Sequence, residues 1–309
     1  MSTSPFRPLT FGEILDGAFT LYRRHFLVLF ITALLPYVPV GVLSGWFAGA
    51  APTNPAEASA GYFGLMLLLL AVSFLGFALM WVALTREAAQ AYTGGEVSLG
   101  DGFRQGARSF LYTLVAGGVA MMIIWVFAFV LFFGIGIVVA VLTPVLADAT
   151  AVIVAFSVVV VLIALAAMVA IFGLFFAVVP AIVIERRGPF EAIGRSLSLA
   201  WGALPRVVGV TVVSSLILIL PLGGLLIFLG MTQGFARLMG GAGDMSPGAI
   251  AVQQLASTVV YALVLPFFAT SFVLLYFDRR ARTEAHDLEG LVAGLATPAP
   301  APPPAFGGA

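Results

Sequence analysis

Apolar runs free of charged residues occupy positions 26–47, 62–84, 110–142, 149–184, 207–230 and 251–277. A hydrocarbon core about 30 Å thick is crossed by roughly 20 helical residues rising 1.5 Å each, so each run is long enough to span it. The third and fourth are longer than a span requires, and a third crossing hidden within 110–184 is the alternative. The arginines decide against it. With six spans, the N-terminal segment and the stretches at 85–109, 185–206 and beyond 277 share one side and hold thirteen of the fourteen basic residues, leaving Arg237 opposite. An extra crossing would move Arg186, Arg187, Arg195 and Arg206 to the other side, against the bias that keeps arginine cytoplasmic. The pattern therefore predicts six transmembrane helices with both termini cytoplasmic, and two long central helices that turn near Pro144 and Asp148. Connections on the outer side are short, carry only Glu57, Asp148, Arg237 and Asp244, and leave no room for an outer catalytic domain.

A different periodicity precedes each odd-numbered span. Phe11, Ile14, Leu15, Ala18, Phe19 and Tyr22 recur at helical spacing, with Glu13, Asp16, Arg23 and Arg24 off the stripe. Leu99, Phe103, Ala107, Phe110 and Leu111 repeat it beside Arg104 and Arg108, and Phe190, Ile193, Leu197 and Trp201 repeat it beside Glu191, Arg195 and Ser198. Such segments are expected to lie in the membrane interface. Their starts carry capping signals: Thr10 three residues before Glu13, Ser98 three before Asp101, and Pro189 at a first helical position after Gly188. The expectation is one all-α membrane domain, residues 1–295, built as three pseudo-repeats of interfacial helix plus transmembrane hairpin at about 10–96, 97–187 and 188–295. A disordered Pro/Ala-rich tail follows at 296–309. Before that tail, Leu288, Leu291, Val292 and Leu295 predict a short docked amphipathic helix.

Composition narrows the functional classes. The chain of 309 residues is 61% hydrophobic and 9% charged, against roughly 25% charged in soluble domains. Basic and acidic residues balance at fourteen each, so a nucleic-acid partner is not expected. Without cysteine there are no disulfides, thiolate metal sites or cysteine nucleophiles. Every basic residue is arginine, which looks like the bias of a high-GC bacterial genome, and a bacterial cytoplasmic membrane is the expected location. Arg23-Arg24 ahead of an apolar run has the look of a twin-arginine signal, but that run of about 22 residues exceeds the 7–15 of a signal h-region.

Candidate chemistry is sparse. Glu284, His286 and Asp287 read as a solvated helix face, so neither a metal nor a cofactor is expected. No Gly-x-Ser-x-Gly elbow accompanies the two histidines, and the glycines at 240, 241 and 243 lack a phosphate-loop lysine. No ionisable residue lies in the middle of a run, which argues against a proton-coupled carrier. Ser214, Ser215, Thr270 and Ser271 are candidate cavity-lining hydroxyls, near the helix-kinking Pro36, Pro39, Pro221 and Pro266. Gly41, Gly45 and Gly49 form a small-residue ridge for close helix packing. Arg23, Arg24, Arg104, Arg108 and Arg195 are candidate contacts to lipid phosphates, each contributing about 1 kcal/mol toward an anionic leaflet.

Three stretches carry a family resemblance: Arg7-Pro8-Leu9-Thr10-Phe11-Gly12-Glu13-Ile14-Leu15-Asp16-Gly17-Ala18-Phe19 with Leu21-Tyr22-Arg23-Arg24, then Glu185 to Gly188 with Glu191 to Leu197, and finally Leu275-Tyr276-Phe277-Asp278-Arg279-Arg280 with Glu284 and Asp287-Leu288-Glu289. They resemble the bacterial glycerophosphoryl diester phosphodiesterase membrane-domain family. That family takes its name from proteins joining such a membrane part to a soluble phosphodiesterase barrel. A barrel of roughly 250 residues has no counterpart in this sequence, so the resemblance implies neither the activity nor any catalytic residue here. The expected function is a non-catalytic scaffold or accessory subunit that engages anionic lipid headgroups or partner membrane proteins. The alternative is a transporter or channel for a neutral or lipid-like solute.

Overall fold

The computed structural model of the chain describes residues 8–49, 59–145, 150–238 and 247–296, and every regular element among them is an α-helix. Six helices are long and apolar enough to cross a membrane, so the chain is an all-α polytopic membrane protein. Glu57, Asp148, Asp244, the glycines at 240–243, the side chains of Arg237, His286 and Asp287, and the tail at 297–309 lie outside the described residues.

Helix α1 (Phe11–Arg24) begins as its sequence dictates: the Thr10 hydroxyl accepts from the Glu13 N–H at 3.2 Å, and the Glu13 carboxylate accepts from the Thr10 N–H at 2.6 Å. It ends at His25, and α2 (Phe26–Gly49) enters the apolar layer at once. Burial of the imidazole, with Arg24 beside it, pushes His25 below its ordinary pKa. Helix α3 (Ala60–Thr93) runs nine residues past its apolar run before closing on Gly94, whose φ of 79° is the left-handed cap glycine adopts freely. The polar stretch from 85 to 109 is thus helical except around Gly94 to Ser98.

The second amphipathic segment differs from the first. It is the opening of α4 (Leu99–Val145), 47 residues and about 70 Å long, with no break before the span. His25 separates α1 from α2, and Gly202 follows α7 (Pro189–Trp201), whereas nothing between 99 and 115 interrupts the ladder. Of the three expected interfacial helices, the first and third are separate elements. The expected tail helix is likewise the end of α9 (Pro247–Ala296).

The fourth run is broken. It forms α5 (Thr150–Leu174) and α6 (Val178–Glu185), with a tight turn at 175–177 in which Phe175, Phe176 and Val178 donate to carbonyls three residues back. Pro180 has no N–H to continue the α-helical ladder through this point. The groups released are taken up by a neighbour: the Ser196 hydroxyl of α7 accepts from the Ala177 N–H at 3.0 Å and donates to the Leu174 carbonyl at 2.7 Å. Irregular backbone at membrane depth needs such a partner, because lipid offers none.

Helix α9 is the centre of the molecule. Every residue from Leu265 to Arg279 is buried, and α1, α2, α3, α7 and α8 (Leu204–Leu238) pack around it. Its apolar residues face all directions, as a buried helix requires. Trp81, Phe172, Phe176, Phe268 and Phe272 interlock there at ring separations of 4.5–6.4 Å. By contrast, Trp125, Phe129 and Phe133 of α4 and Ile163 and Leu165 of α5 point outward as a lipid-facing belt.

Replacing Ser196 by Ala leaves two buried backbone groups unpaired at the α5–α6 break. A loss of about 2 kcal/mol is expected, measured as unfolding of the detergent-solubilised protein, with Ser196→Thr retaining most of the stability.

Candidate functional site

The polar chemistry gathers at the arginine-rich end of the bundle, where α1 begins, α3, α6 and α7 end, and α9 leaves the apolar layer. Two ion-pair clusters form there.

Asp278, fully buried on α9, organises the first. One oxygen accepts from the Leu9 N–H at 2.8 Å and from Arg282 Nε at 3.0 Å, and the other stands 3.0 Å from Arg206 Nε of α8. The guanidinium groups of Arg206 and Arg282 both donate to the Leu9 carbonyl. Both backbone polar groups of Leu9 are therefore held by α8 and α9. Next along α9, Arg279 donates to the Leu199 carbonyl at 3.0 Å and closes the last turn of α7.

Glu185, the last residue of α6, organises the second. Its carboxylate receives Arg187, Arg195 at 3.2 Å and the Tyr276 hydroxyl, and Arg195 also reaches Glu284 at 3.1 Å, which Arg280 contacts at 2.7 Å. Hydrogen bonding to Glu185 holds Arg187 above its ordinary pKa. Together the clusters bind α6, α7, α8, α9 and the segment before α1 into one cap.

A third polar group sits apart. Glu87 on α3 is fully buried, accepts from the Thr32 hydroxyl of α2 at 2.7 Å, and has its second oxygen without a partner among the described residues. Gly102 admits α4 against it, since a Cβ there would lie 2.5 Å from the Glu87 oxygen.

Inside the bundle an apolar crevice of about 410 Å³ is lined by residues of α2, α3, α4, α5, α8 and α9, among them Tyr37, Trp81, Ile124, Leu218 and Phe268. A second cavity of about 110 Å³ shares Phe77, Trp81, Ile124 and Phe172 with it and reaches the α5–α6 break. At the arginine-rich end, a separate polar pocket of about 260 Å³ lies between α4 and α6.

The residues singled out by sequence fall into different places. Arg23 and Arg24 are exposed in the last turn of α1, and Arg104 and Arg108 are exposed on α4. Arg195 is instead engaged by Glu185 and Glu284, so its charge is directed inward. The four hydroxyls do not share a cavity: Thr270 and Ser271 donate to the Pro266 and Phe267 carbonyls of their own helix, Ser214 is buried without a partner among the described residues, and Ser215 alone reaches the crevice. Gly41 is buried against α9, where a Cβ would lie 3.1 Å from the Thr258 hydroxyl; Gly45 is half-buried, and the surroundings of Gly49 lie outside the described residues. Sequence reasoning did not single out the polar contacts of Glu87, Asp278, Tyr276 and Ser196. The available signal was the mixing of signs where runs end, in Thr85-Arg86-Glu87, Glu185-Arg186-Arg187 and Asp278-Arg279-Arg280.

Asp278→Asn removes the counter-charge of Arg206 and Arg282 at a buried site, and a loss of about 3–5 kcal/mol is expected. Glu284→Gln, on a half-exposed pair, should cost under about 1 kcal/mol. Parallel thermal unfolding of both variants in detergent checks the ranking.

No curated protein and no solved structure matches the chain. A family described as "Domain of unknown function (DUF7847)" matches residues 26–278, from the start of α2 to the carboxylate at the centre of the first cluster. The match covers most of the sequence, and the chain belongs to this family.

Proposed function

We propose that the protein is a non-catalytic scaffold or accessory subunit of a bacterial cytoplasmic membrane, and that it acts by holding lipid within its bundle. The apolar crevice is the observation that carries this reading. Its volume of about 410 Å³ falls among ligand clefts, roughly 300–1,000 Å³, and its lining is apolar except for a few hydroxyls such as Thr211 and Ser215. Within a bilayer the molecules at hand to fill such a space are hydrocarbon chains. A path for a polar solute would need polar groups in series, whereas Thr270 and Ser271 spend their hydroxyls on their own backbone. The likeness to the glycerophosphoryl diester phosphodiesterase membrane domain belongs to the same proposal. Its three stretches supply Leu9, Glu185, Arg195, Tyr276, Asp278, Arg280 and Glu284, most of the two clusters. Partners would be lipids first and other membrane proteins second.

The arginine-rich end is proposed to face the cytoplasm, as arginine bias favours. Because the chain has no cysteine, single labels report this directly. A107C should react with a membrane-impermeant maleimide only after the cells are opened, and T143C in intact spheroplasts; the reverse pattern inverts the topology.

Ile124→Trp and Leu218→Trp fill the crevice. Native mass spectrometry from mild detergent should show co-purified lipid on the unsubstituted protein, and at least tenfold less on these variants at equal melting temperature. Equal lipid retention on all three would sink the crevice reading.

A further inference from the structure

The pocket between α4 and α6 is a different place from the crevice, and its chemistry is of another kind. Its lining is Gln105, Arg108, Ser109, Tyr112, Ile182 and Arg186. Neither arginine has an ion-pair partner among the described residues, and no acidic side chain lines the cavity. The reason lies next door: the Glu185 carboxylate is outside the lining and is occupied by Arg187, Arg195 and Tyr276, so Arg186 has no carboxylate to meet. Asp101 lies one helical turn before Gln105, outside the lining.

Two further observations point to a ligand. First, Arg186 holds φ at 57°, the one non-glycine residue in the left-handed region among those described, while its N–H closes α6 on the Ala181 carbonyl. Glycine is the residue that adopts this helix-ending conformation without cost, so the guanidinium is placed there against backbone preference. Second, Ser109 is almost fully buried and accepts from the Gln105 amide at 3.0 Å, which leaves its own O–H to donate. The Tyr112 ring, half-exposed, stands at the level where the third apolar run begins, which is headgroup depth. Two guanidinium forks and hydroxyl donors around a cavity of about 260 Å³ match a group with several anionic oxygens.

We infer that this pocket binds a phosphate-class anion through Arg108 and Arg186. The group is supplied either as an anionic phospholipid headgroup or as free phosphate. The inference does not depend on the crevice being filled, because the two sites share no residue.

The test uses the full chain purified without phosphate, with two probes: inorganic phosphate followed by calorimetry, and nanodiscs of phosphatidylglycerol or phosphatidylcholine followed by native mass spectrometry. Arg186→Gly is the informative variant, since it removes the guanidinium and relieves the backbone. Its melting temperature should be unchanged or higher while anion binding falls at least tenfold. Arg108→Gln should weaken binding similarly, and Arg108→Lys by less. Arg23→Gln and Arg104→Gln, exposed but outside the pocket, should stay within about twofold. Retention of phosphatidylglycerol without competition by phosphate identifies a lipid headgroup; phosphate binding without lipid preference identifies the free anion. Either supports the site. Binding of neither probe, binding untouched in Arg186→Gly and Arg108→Gln, or an equal loss in Arg23→Gln and Arg104→Gln overturns it.

Discussion

A carboxylate on a helix buried from all sides needs counter-charges and donors around it, and Asp278 meets that need by gathering Arg206, Arg282 and the Leu9 N–H. Most of the arrangement at this end of the molecule follows from that one requirement. Helix α8 must bring Arg206 to α9, and the chain before α1 must return to the far end of the sequence. Arg279, on the next residue, then draws in α7 through Leu199. Removing the aspartate would strand two guanidinium groups as well as an amide, which is why its loss costs more than that of an outer acid such as Glu284.

Around this anchor the molecule divides its labour by depth. The outer faces of α4 and α5 are hydrocarbon-facing and carry almost no chemistry. Aromatic rings from α3, α5 and α9 fill the middle and leave the crevice between them. Polar groups concentrate where the helices emerge. The α5–α6 break sits between the layers, and Ser196 lets the chain turn there without exposing backbone to lipid.

The parts legible in the sequence are those governed by local or periodic signals. Six runs gave six spans, Thr10 and Glu13 gave the start of α1, and Pro189 gave the start of α7, because hydropathy and caps act over a few residues. Where no residue stops a helix, periodicity cannot show that an amphipathic segment and a span are one rod, as at 99–145. The clusters were hidden for another reason. Leu9 and Asp278 are 269 positions apart, and Glu185 and Tyr276 are 91 apart. No window along the chain contains both partners. Arg195 shows the cost of this: on its own helix it reads as a lipid-facing charge, and only the fold reveals the two carboxylates it meets.

The clasp on Leu9 also sets an order of assembly. Its polar partners lie on α8 and α9, so the backbone of Leu9 gains them only when almost the whole chain has been made. At 5–20 residues per second, the 269 residues separating Leu9 from Asp278 represent roughly 15–50 s of synthesis. Until then α1 has its own cap and its contacts with α2 and α3. The clasp on the N-terminal segment is therefore complete only once the last helix is in place.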